Sequence, residues 1–486
     1  VLPSHGSFSV NTVIPSAGTY LIKIEAAASR AGEELARMSV TAGRKFEKVV
    51  EVGSEYPAFK TYEFQVFLEK NTGIQIKASF LNDFYDPRNR NKKRRDRNLY
   101  VRKISLVSSD GLSVEQMQRR KRHLGFVGDG KFPKETAALF LSKLLSRIYR
   151  SPLSEPELGR HLELFSVAQN RSKSIYEALR VVLKASLVSP NFLFREELAP
   201  HGPIPTEAYE LDDFGLANRL SYFLWSSMPD DVLWKKAAEG SLRENLRKEV
   251  LRMIDDSKAE AFISNFTGQW LQLRDLDMAT PDRGRFPVFS DELRNSMRRE
   301  TESFFGYVLR QNRPVTELLT ADYTFSDQRL ANFYDMKGKF SDEFRKVSLE
   351  GETRRQRGGL LSHSSILTVT SNPTRTSPVK RGRWVLDNLL GAPPKDPPPG
   401  IPELEEPSSG NQKSLSLRQQ LAIHSRNSSC SSCHANMDAM GFAMENYDAI
   451  GNWRTKDEGK LIDPLGKLGT GETFSGPMQL QNFIVD

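Results

Sequence analysis

The chain has only two cysteines in 486 residues, and both belong to the segment Cys-Ser-Ser-Cys-His at positions 430–434. Two thiols three residues apart, followed directly by a histidine, form the spacing that attaches haem covalently and supplies an axial iron ligand. We therefore predict one covalent haem c per chain, held by Cys430 and Cys433, with His434 on the iron. A thioredoxin-like redox pair belongs to a βαβ unit and a zinc site needs four ligands, and the sequence offers neither.

The group on the other face of that haem is left open by the sequence. Four side chains are candidate distal ligands: Met440, Met444, His363 and His424. A methionine would raise the reduction potential and a second histidine would lower it, whereas an empty position would admit a small molecule. Trp453 and Arg454 are further candidates, the first to pack on the haem and the second to pair with a propionate. For each of these residues taken singly, ordinary packing or a surface role is the more common alternative.

Composition narrows the class of protein. With 38% hydrophobic residues the chain can build real cores, and its length predicts two to four domains. Much of the net charge of +8 lies in two local runs, which favours a solvated surface over nucleic-acid binding. No apolar run is long enough for a transmembrane helix. Because covalent haem belongs to exported compartments, we expect a periplasmic or extracytoplasmic protein that has lost its leader or is a fragment.

The first 110 residues have the pattern of a β module. Residues 18–26 and 61–68 alternate apolar with polar side chains, and residues 73–81 and 99–106 do so more loosely. Period-two alternation with turn residues between the runs is typical of half-buried strands. We predict a β-sandwich or jelly roll over residues 1–110.

A loop of this module is rich in oxygen-bearing side chains: Asn82, Asp83, Asp86, Asp96 and Asn98. Such oxygens suit calcium, although an ordinary Asp/Asn-rich turn has the same composition. The pattern Asn-Asp, then Asp-Arg-Asn-Leu-Tyr-Val, resembles the calcium-dependent xylan-binding type of carbohydrate-binding module over roughly residues 8–108. The resemblance implies that Asp83, Asp96 and Asn98 hold a calcium ion that contacts sugar hydroxyls, with Asn82 and Asp86 as further ligands.

An insert within the same loop departs from that pattern. Residues 88–95 contain six Lys and Arg side chains. They indicate an anionic polysaccharide or an anionic partner rather than a neutral glycan, and the alternative is a solvated charged loop.

From residue 133 onward the hydrophobic period changes to about 3.6, which predicts a helical body. We expect a basic linker over residues 111–132 and helical domains over 133–200 and 201–352. Ser154 and Glu157 have the spacing of a capping box. The acidic pairs at 212–213 and 230–231 are better explained as helix caps than as catalytic groups.

The remaining residues, 353–486, are predicted to form a small α-helical cytochrome c-like domain, with a proline-rich connector at 391–408. The segments 216–230, 370–391 and 430–454 resemble planctomycete-type cytochrome c proteins built from consecutive domains of unknown function. The resemblance covers most of residues 130–486 and implies an exported haem c protein. In that family the chain normally continues beyond the segment 471–477, so we expect the C-terminal end to be truncated.

The sequence therefore favours an exported electron-transfer protein that is tethered to polysaccharide by its β module and exchanges electrons with a redox partner protein. One alternative is a haem-dependent oxidoreductase or peroxidase-like enzyme acting on a carbohydrate or small molecule. Another is a glycan-binding protein with a structural haem.

Overall fold

The computed structural model describes the chain except for residues 1, 3–4, 16, 109–110, 125–133, 173–174, 196–208, 395–415 and 425–427. Within helices and strands it also omits the side chains of residues 71–72, 120–124, 134, 172, 420, 422–424 and 428–433. Two compact units are present, Val1–Phe194 and Arg195–Asp486. Most of the predicted proline-rich connector lies outside the described residues.

The first unit begins with a run of strands. They are β1 (Ser7–Ile14), β2 (Gly18–Ala28), β3 (Ala36–Ala42), β4 (Phe46–Val52), β5 (Lys60–Leu68), β6 (Asn71–Phe80), β7 (Phe84–Tyr85), β8 (Asp96–Arg97) and β9 (Leu99–Ser108). Two antiparallel sheets, in the orders β1–β6–β3–β4 and β5–β2–β9, enclose one core, and β7 and β8 form a separate hairpin. This arrangement confirms the predicted β-sandwich.

Alternation along the strands builds that core. Ile22 and Ile24 of β2 and Met38 and Val40 of β3 are completely buried. The lysine between the two isoleucines is more exposed, whereas Ser39 of β3 is buried as well. Burying each such apolar side chain contributes about 2 kcal/mol. A one-residue slip would bring the opposite set of side chains inward, so the apolar pattern fixes the register of the sheets.

In the described part of the first unit, five helices follow the sandwich. They are α1 (Val114–Leu124), α2 (Lys134–Tyr149), α3 (Glu155–Ser172), α4 (Ile175–Leu187) and α5 (Pro190–Leu193). The segment that we interpreted as a linker thus begins with a helix, because Val114 and Met117, one turn apart, pack against the sandwich core. The capping box is confirmed, since Ser154 donates its backbone N–H to Glu157 Oε2 at 2.9 Å.

The second unit is mainly helical. Its helices are α6 (Asp213–Trp225), α7 (Asp231–Ala238), α8 (Leu246–Asp255), α9 (Glu260–Trp270), α10 (Asp291–Arg310), α11 (Glu317–Thr320), α12 (Gln328–Phe333), α13 (Gly351–Gln356), α14 (Ser364–Val369), α15 (Pro378–Trp384), α16 (Leu417–His424), α17 (Ser428–Phe442) and α18 (Gly476–Val485). Its strands form the short pairs β10 (Tyr323–Ser326) with β11 (Arg345–Ser348), β12 (Lys456–Asp457) with β13 (Lys460–Leu461), and β14 (Leu465–Lys467) with β15 (Thr473–Ser475). Within the described helices none is long and apolar enough to cross a membrane.

Both acidic pairs cap helices, as predicted. Asp212 Oδ1 accepts the N–H of Gly215 at 2.6 Å, and Asp230 Oδ1 accepts the N–H of Leu233 at 2.9 Å. Arg252 also pairs with Asp230 at 2.8 Å. The side chains at 212 and 230 therefore serve the fold, which confirms capping as their role.

Candidate functional site

Both cysteines and the following histidine lie on one helix. Helix α17 begins at Ser428, so positions 430, 433 and 434 fall in its first two turns. Residues three and four apart share a face of a helix. The backbone of α17 therefore groups the three predicted attachment positions on one side, although the cysteine side chains are outside the description.

The imidazole of His434 is oriented by a carboxylate one turn along the helix. Its Nδ1 donates to Asp438, with distances of 3.0 Å to Oδ1 and 3.2 Å to Oδ2. This hydrogen bond raises the pKa of His434 above its ordinary value. It also fixes the neutral tautomer with the proton on Nδ1 and the lone pair on Nε2, which is the form that binds a metal ion. The imidazole of His434, with Nδ1 held by Asp438, therefore fits an axial ligand of a c-type haem.

Close helix packing sets the position of α17. A Cβ atom on Gly382 of α15 would lie 1.8 Å from the carbonyl oxygen of Met437, and one on Gly441 would lie 1.9 Å from that of Pro378. Both distances are far shorter than any van der Waals contact. The two helices thus meet backbone to backbone, and only glycine fits at either point.

A buried guanidinium organises the chain where α17 ends. The side chain of Arg381 is completely buried and donates to the carbonyls of Met444, Tyr447 and Asp448 at 2.7, 2.9 and 2.6 Å. Burial lowers its pKa to about 10, so the group stays charged at neutral pH. All three carbonyls belong to the segment that follows α17, so the guanidinium fixes the path of the chain after it leaves the helix.

The candidate distal ligands occupy different environments. Met440 and Met444 are 3% and 2% exposed and pack in the main hydrophobic core of the second unit. His363 is 1% exposed, bonds through Nδ1 to Thr301 Oγ1 at 2.9 Å, and burial lowers its pKa to about 3. His424 ends α16, and its side chain is outside the description. Coordination by either methionine or by His363 would require the side chain to leave a packed position, so the sixth ligand stays a prediction.

Trp453 and Arg454 belong to a polar turn after α17. Trp453 packs edge-on against Tyr447, with ring centroids 5.2 Å apart. Arg454 pairs with Asp457 at 2.5 Å and with Glu445 at 3.3 Å. Its guanidinium is therefore engaged by acidic groups of the protein itself, and pairing with a propionate stays a prediction.

A cavity of about 790 Å³ lies beside this turn. Its charged lining is balanced: Arg285, Arg375, Arg418, Arg454 and Lys460 face Glu445, Asp448, Asp457, Glu458 and Asp463. Burial raises the pKa of Glu445, and its Oε1 has no hydrogen-bond partner. The cavity is thus polar but carries no net charge of either sign.

In the first unit, the oxygen-rich loop is largely held by protein contacts. Asn82 accepts the N–H of Arg37 at 2.6 Å and donates to the carbonyl of Leu35 at 2.9 Å. The buried guanidinium of Arg97 bonds the carbonyls of Ala31 and Asn82. Asp96 accepts from Asn98 at 2.7 Å.

In the part of the chain that the structure describes, no three His, Cys, Asp or Glu side chains are grouped as metal ligands. Calcium therefore stays a prediction.

Sequence reasoning missed an aromatic cluster next to that loop. Tyr56 stacks on Tyr100 with centroids 4.3 Å apart and planes at 20°, and Phe59 lies edge-on to Tyr56 at 6.0 Å. Tyr56 bonds the carbonyl of Ala28, and the next residue, Ser29, donates to the carbonyl of Asp96 at 2.8 Å. The half-exposed Tyr56 thus lies near the pair Asp96–Asn98. A Tyr-Pro dipeptide in a turn was the only sequence signal for it.

Four family models match the chain. Residues 21–118 match the model of the Ca-dependent xylan-binding carbohydrate-binding module, CBM60. Residues 136–197, 211–336 and 357–457 match PSD5, PSD4 and PSCyt3, each described as a protein of unknown function (DUF1595, DUF1592 and DUF1588). The last range includes the Cys-Ser-Ser-Cys-His segment. No curated protein matches the chain.

Several solved structures with some likeness to this chain are carbohydrate-binding modules. A family 35 module from an environmental isolate is 15% identical, with 23% of this chain and 72% of that chain covered and a TM-score of 0.17. A family 35 module from Clostridium thermocellum is 16% identical, with 21% and 73% covered and a TM-score of 0.15. The family matches show that a module of the carbohydrate-binding type precedes consecutive domains of unknown function, which are of the planctomycete cytochrome type that the sequence indicated.

Proposed function

We propose that this chain is an exported c-type haem protein that transfers electrons and is tethered to polysaccharide by its β-sandwich. The observation that carries the haem proposal is the hydrogen bond from His434 to Asp438 on the helix that bears both cysteines. Cys430 and Cys433 would hold the group through thioethers, and His434 would supply an axial ligand. When bound, the haem would supply a one-electron couple.

The residues around α17 favour electron transfer over catalysis of a reaction at the haem. Asp438 holds the imidazole in one orientation, and the contacts at Gly382 and Gly441 hold the helix. Arg381 fixes the backbone at the end of the same helix. A rigid environment changes little between oxidation states, so little reorganisation accompanies the gain or loss of an electron.

A pyridine haemochrome assay tests the haem proposal. We expect one covalent c-type haem per chain when the protein is produced with a haem-attachment system. Cys430→Ala and Cys433→Ala should lose covalent haem, whereas Ser431→Ala, between them, should keep it. A protein that carries no covalent haem under these conditions would overturn the proposal.

The polysaccharide proposal rests on the exposed aromatic cluster and on the family match over residues 21–118. Aromatic faces pack on sugar rings, and the nearby Asp96–Asn98 pair offers hydrogen bonds to hydroxyls. We expect Tyr56→Ala to weaken binding to xylan by about 10-fold. Phe67→Ala is the matched control, because Phe67 is 67% exposed and lies outside the cluster. Equal loss in both variants would contradict the assignment.

Chelation separates the calcium prediction from the glycan prediction. If calcium holds the loop, EDTA should lower both xylan affinity and the melting temperature, and added calcium should restore them. An unchanged affinity and melting temperature would show that the loop needs no metal ion.

The polar cavity favours a second candidate function, that of a haem-dependent oxidoreductase. Its volume would accommodate a small saccharide, and the buried Glu445 is a carboxyl group with a raised pKa. Spectroscopy separates the two functions. Low-spin iron in both oxidation states supports electron transfer, whereas high-spin ferric iron that responds to cyanide or peroxide supports the enzyme.

A further inference from the structure

The hairpin of β7 and β8 carries a dense group of cations at its end, which we call the basic tip (residues 86–95). Phe84 pairs with Arg97 and Tyr85 with Asp96, so the tip is the loop of a two-stranded hairpin. The guanidinium of Arg97 is buried, bonds the carbonyls of Ala31 and Asn82, and lies over the ring of Phe84 at 5.2 Å. The base of the hairpin is therefore fixed to the β-sandwich.

Backbone and amide hydrogen bonds order the basic tip. The N–H of Asp86 donates to the carbonyl of Arg95 at 2.7 Å and closes the loop. Asn91 Oδ1 accepts the N–H of Lys93 at 3.0 Å and caps the turn Lys92–Arg94. Arg95 Nε donates to the carbonyl of Asn89 at 2.7 Å. The tip thus has a defined shape that depends on one of its six cations, Arg95.

The side chains of the other five cations take no part in that shape. They are Arg88, Arg90, Lys92, Lys93 and Arg94, and all five are exposed. None of them forms an ion pair with a residue in the described part of the chain. Neighbouring like charges repel one another and cost folding free energy. An ordered loop that keeps five unpaired cations together has the electrostatic form of a polyanion-binding surface.

We propose that the basic tip binds an anionic polysaccharide, one with carboxylate or sulfate groups along its chain. The inference rests on the proposed polysaccharide binding of the β-sandwich and specifies the chemical class of the glycan. Guanidinium groups pair with carboxylates and sulfates in a two-pronged geometry, and the lysines add point charges. The aromatic cluster would contact sugar rings, and the basic tip would contact acidic substituents.

The composition of the tip argues against an anionic membrane as its partner. Between Asp86 and Asp96 the only apolar residue is Pro87, so nothing in the tip could enter the apolar layer of an anionic membrane. Two exposed aromatic side chains of the same hairpin, Phe84 and Tyr85, directly precede the tip, whereas residues 86–95 themselves contain none. Because bases could stack on such rings, binding to duplex DNA is an outcome that the test must separate from binding to a soluble acidic glycan.

The test compares binding of the whole protein to polygalacturonate, chondroitin sulfate and neutral xylan. The variant R90Q/K92Q/K93Q removes three cations and leaves every ordering hydrogen bond of the tip in place. We expect it to bind an acidic polymer about 10-fold more weakly, the amount that three exposed ion pairs supply, and to bind xylan as the wild type does. Raising the salt concentration should abolish the difference.

The matched control is K48Q/K60Q/K103Q, which removes three exposed cations from β4, β5 and β9 of the same unit. It should keep full affinity for the acidic polymers. The inference is wrong if the control loses as much affinity as the tip variant, or if the tip variant loses none. Equal affinity for duplex DNA or anionic vesicles would also overturn it. Binding to xylan but not to the acidic polymers would contradict this inference and leave the proposed polysaccharide tether intact. Binding to no glycan would contradict both the inference and the proposed tether.

Discussion

Buried and exposed cationic side chains have opposite roles in this chain, as two buried arginines of the second unit and the basic tip of the first unit show. In the second unit, Arg381 is buried and donates to three carbonyls, and Arg357 is buried and donates to the carbonyls of Ser362 and Gly451. In the first unit, five cations of the basic tip are exposed and unpaired within the described residues. The buried cations take the place of water as hydrogen-bond donors to main-chain carbonyls. The exposed cations make no such bonds, so their charge is accessible to a ligand.

That difference predicts where mutations act. A buried cation that holds backbone groups is part of the fold, and its loss leaves several groups without partners. An exposed cation in a hydrogen-bonded loop contributes little to stability. Removal of the buried Arg381 or Arg357 should therefore lower the stability of the second unit, whereas removal of charges from the basic tip should lower its affinity for a ligand.

The largest effect should follow Arg381→Met. This change removes three hydrogen bonds to carbonyls at the end of α17 and should lower the free energy of unfolding by about 4 kcal/mol. Denaturant unfolding of the full chain measures it. Two controls carry the same substitution: Arg383→Met on the exposed side of α15 and Arg90→Met in the basic tip should each change stability by less than about 0.5 kcal/mol. Comparable losses at all three sites would erase the contrast between the units.

The second-largest effect should be a decrease of the free energy of unfolding with rising pH. Glu300 is 1% exposed and accepts hydrogen bonds from Thr324 and Tyr334 at 2.6 Å each, and burial raises its pKa from 4.5 to about 7. The folded state therefore holds a proton that the unfolded state has released between these values. The free energy of unfolding should fall by about 3 kcal/mol as the pH rises from 4.5 to about 7, and then level off.

Glu300→Gln should remove most of this slope, because glutamine has no proton to release. Thermal unfolding across the pH range measures it. Glu352→Gln, at an exposed site on α13, is the control and should keep the wild-type slope. A variant at position 300 with an unchanged slope would show that another group is responsible.

A smaller loss should follow Gly441→Ala. The added methyl group would meet the carbonyl of Pro378, so α15 and α17 must separate, at a cost of about 2 kcal/mol. Gly159→Ala in α3 is the opposite case, because nothing lies within 4 Å of its Cβ position. That variant should gain about 0.5 to 1 kcal/mol from better helix propensity. Melting temperatures that shift in the same direction would contradict the packing argument.

The smallest effect concerns the proposed haem. Asp438→Asn replaces the carboxylate that accepts from His434 and makes the imidazole a weaker donor to iron. We expect the midpoint potential to rise by roughly 60 mV, which corresponds to about 1.4 kcal/mol. Asp255→Asn, an exposed change of equal charge on α8, should leave the potential where it is. Haem content by pyridine haemochrome must be equal in both variants, so that a change in midpoint potential is distinguished from loss of haem.

Features that depend on near neighbours in the sequence were predictable. The alternation over residues 18–26 predicted a strand of the sandwich, and the Ser154–Glu157 spacing predicted a capped helix. The caps at Asp212 and Asp230 were predictable for the same reason. The helix that begins at Val114 was hidden by its basic residues, although Val114 and Met117 had the spacing of a helix face.

Features that join distant parts of the chain were not predictable. The Tyr56–Tyr100 stack depends on which strands become neighbours, and the hydrogen bond from Arg97 to the carbonyl of Ala31 joins residues 66 positions apart in the sequence. No local pattern marked Gly382 and Gly441 as the contact between two helices.

By itself, the sequence determined the Cys-Ser-Ser-Cys-His segment at 430–434, the β module, the helical body and the presence of a basic insert, because composition and short-range spacing carry that information. Only the tertiary structure decided that a carboxylate orients His434 and that Met440, Met444 and His363 are packed. It also decided that five cations of the basic tip have no ion-pair partner among the described residues. The physical reason is that the energy of a buried or charged group depends on its partners in space, which come from segments far apart in the chain.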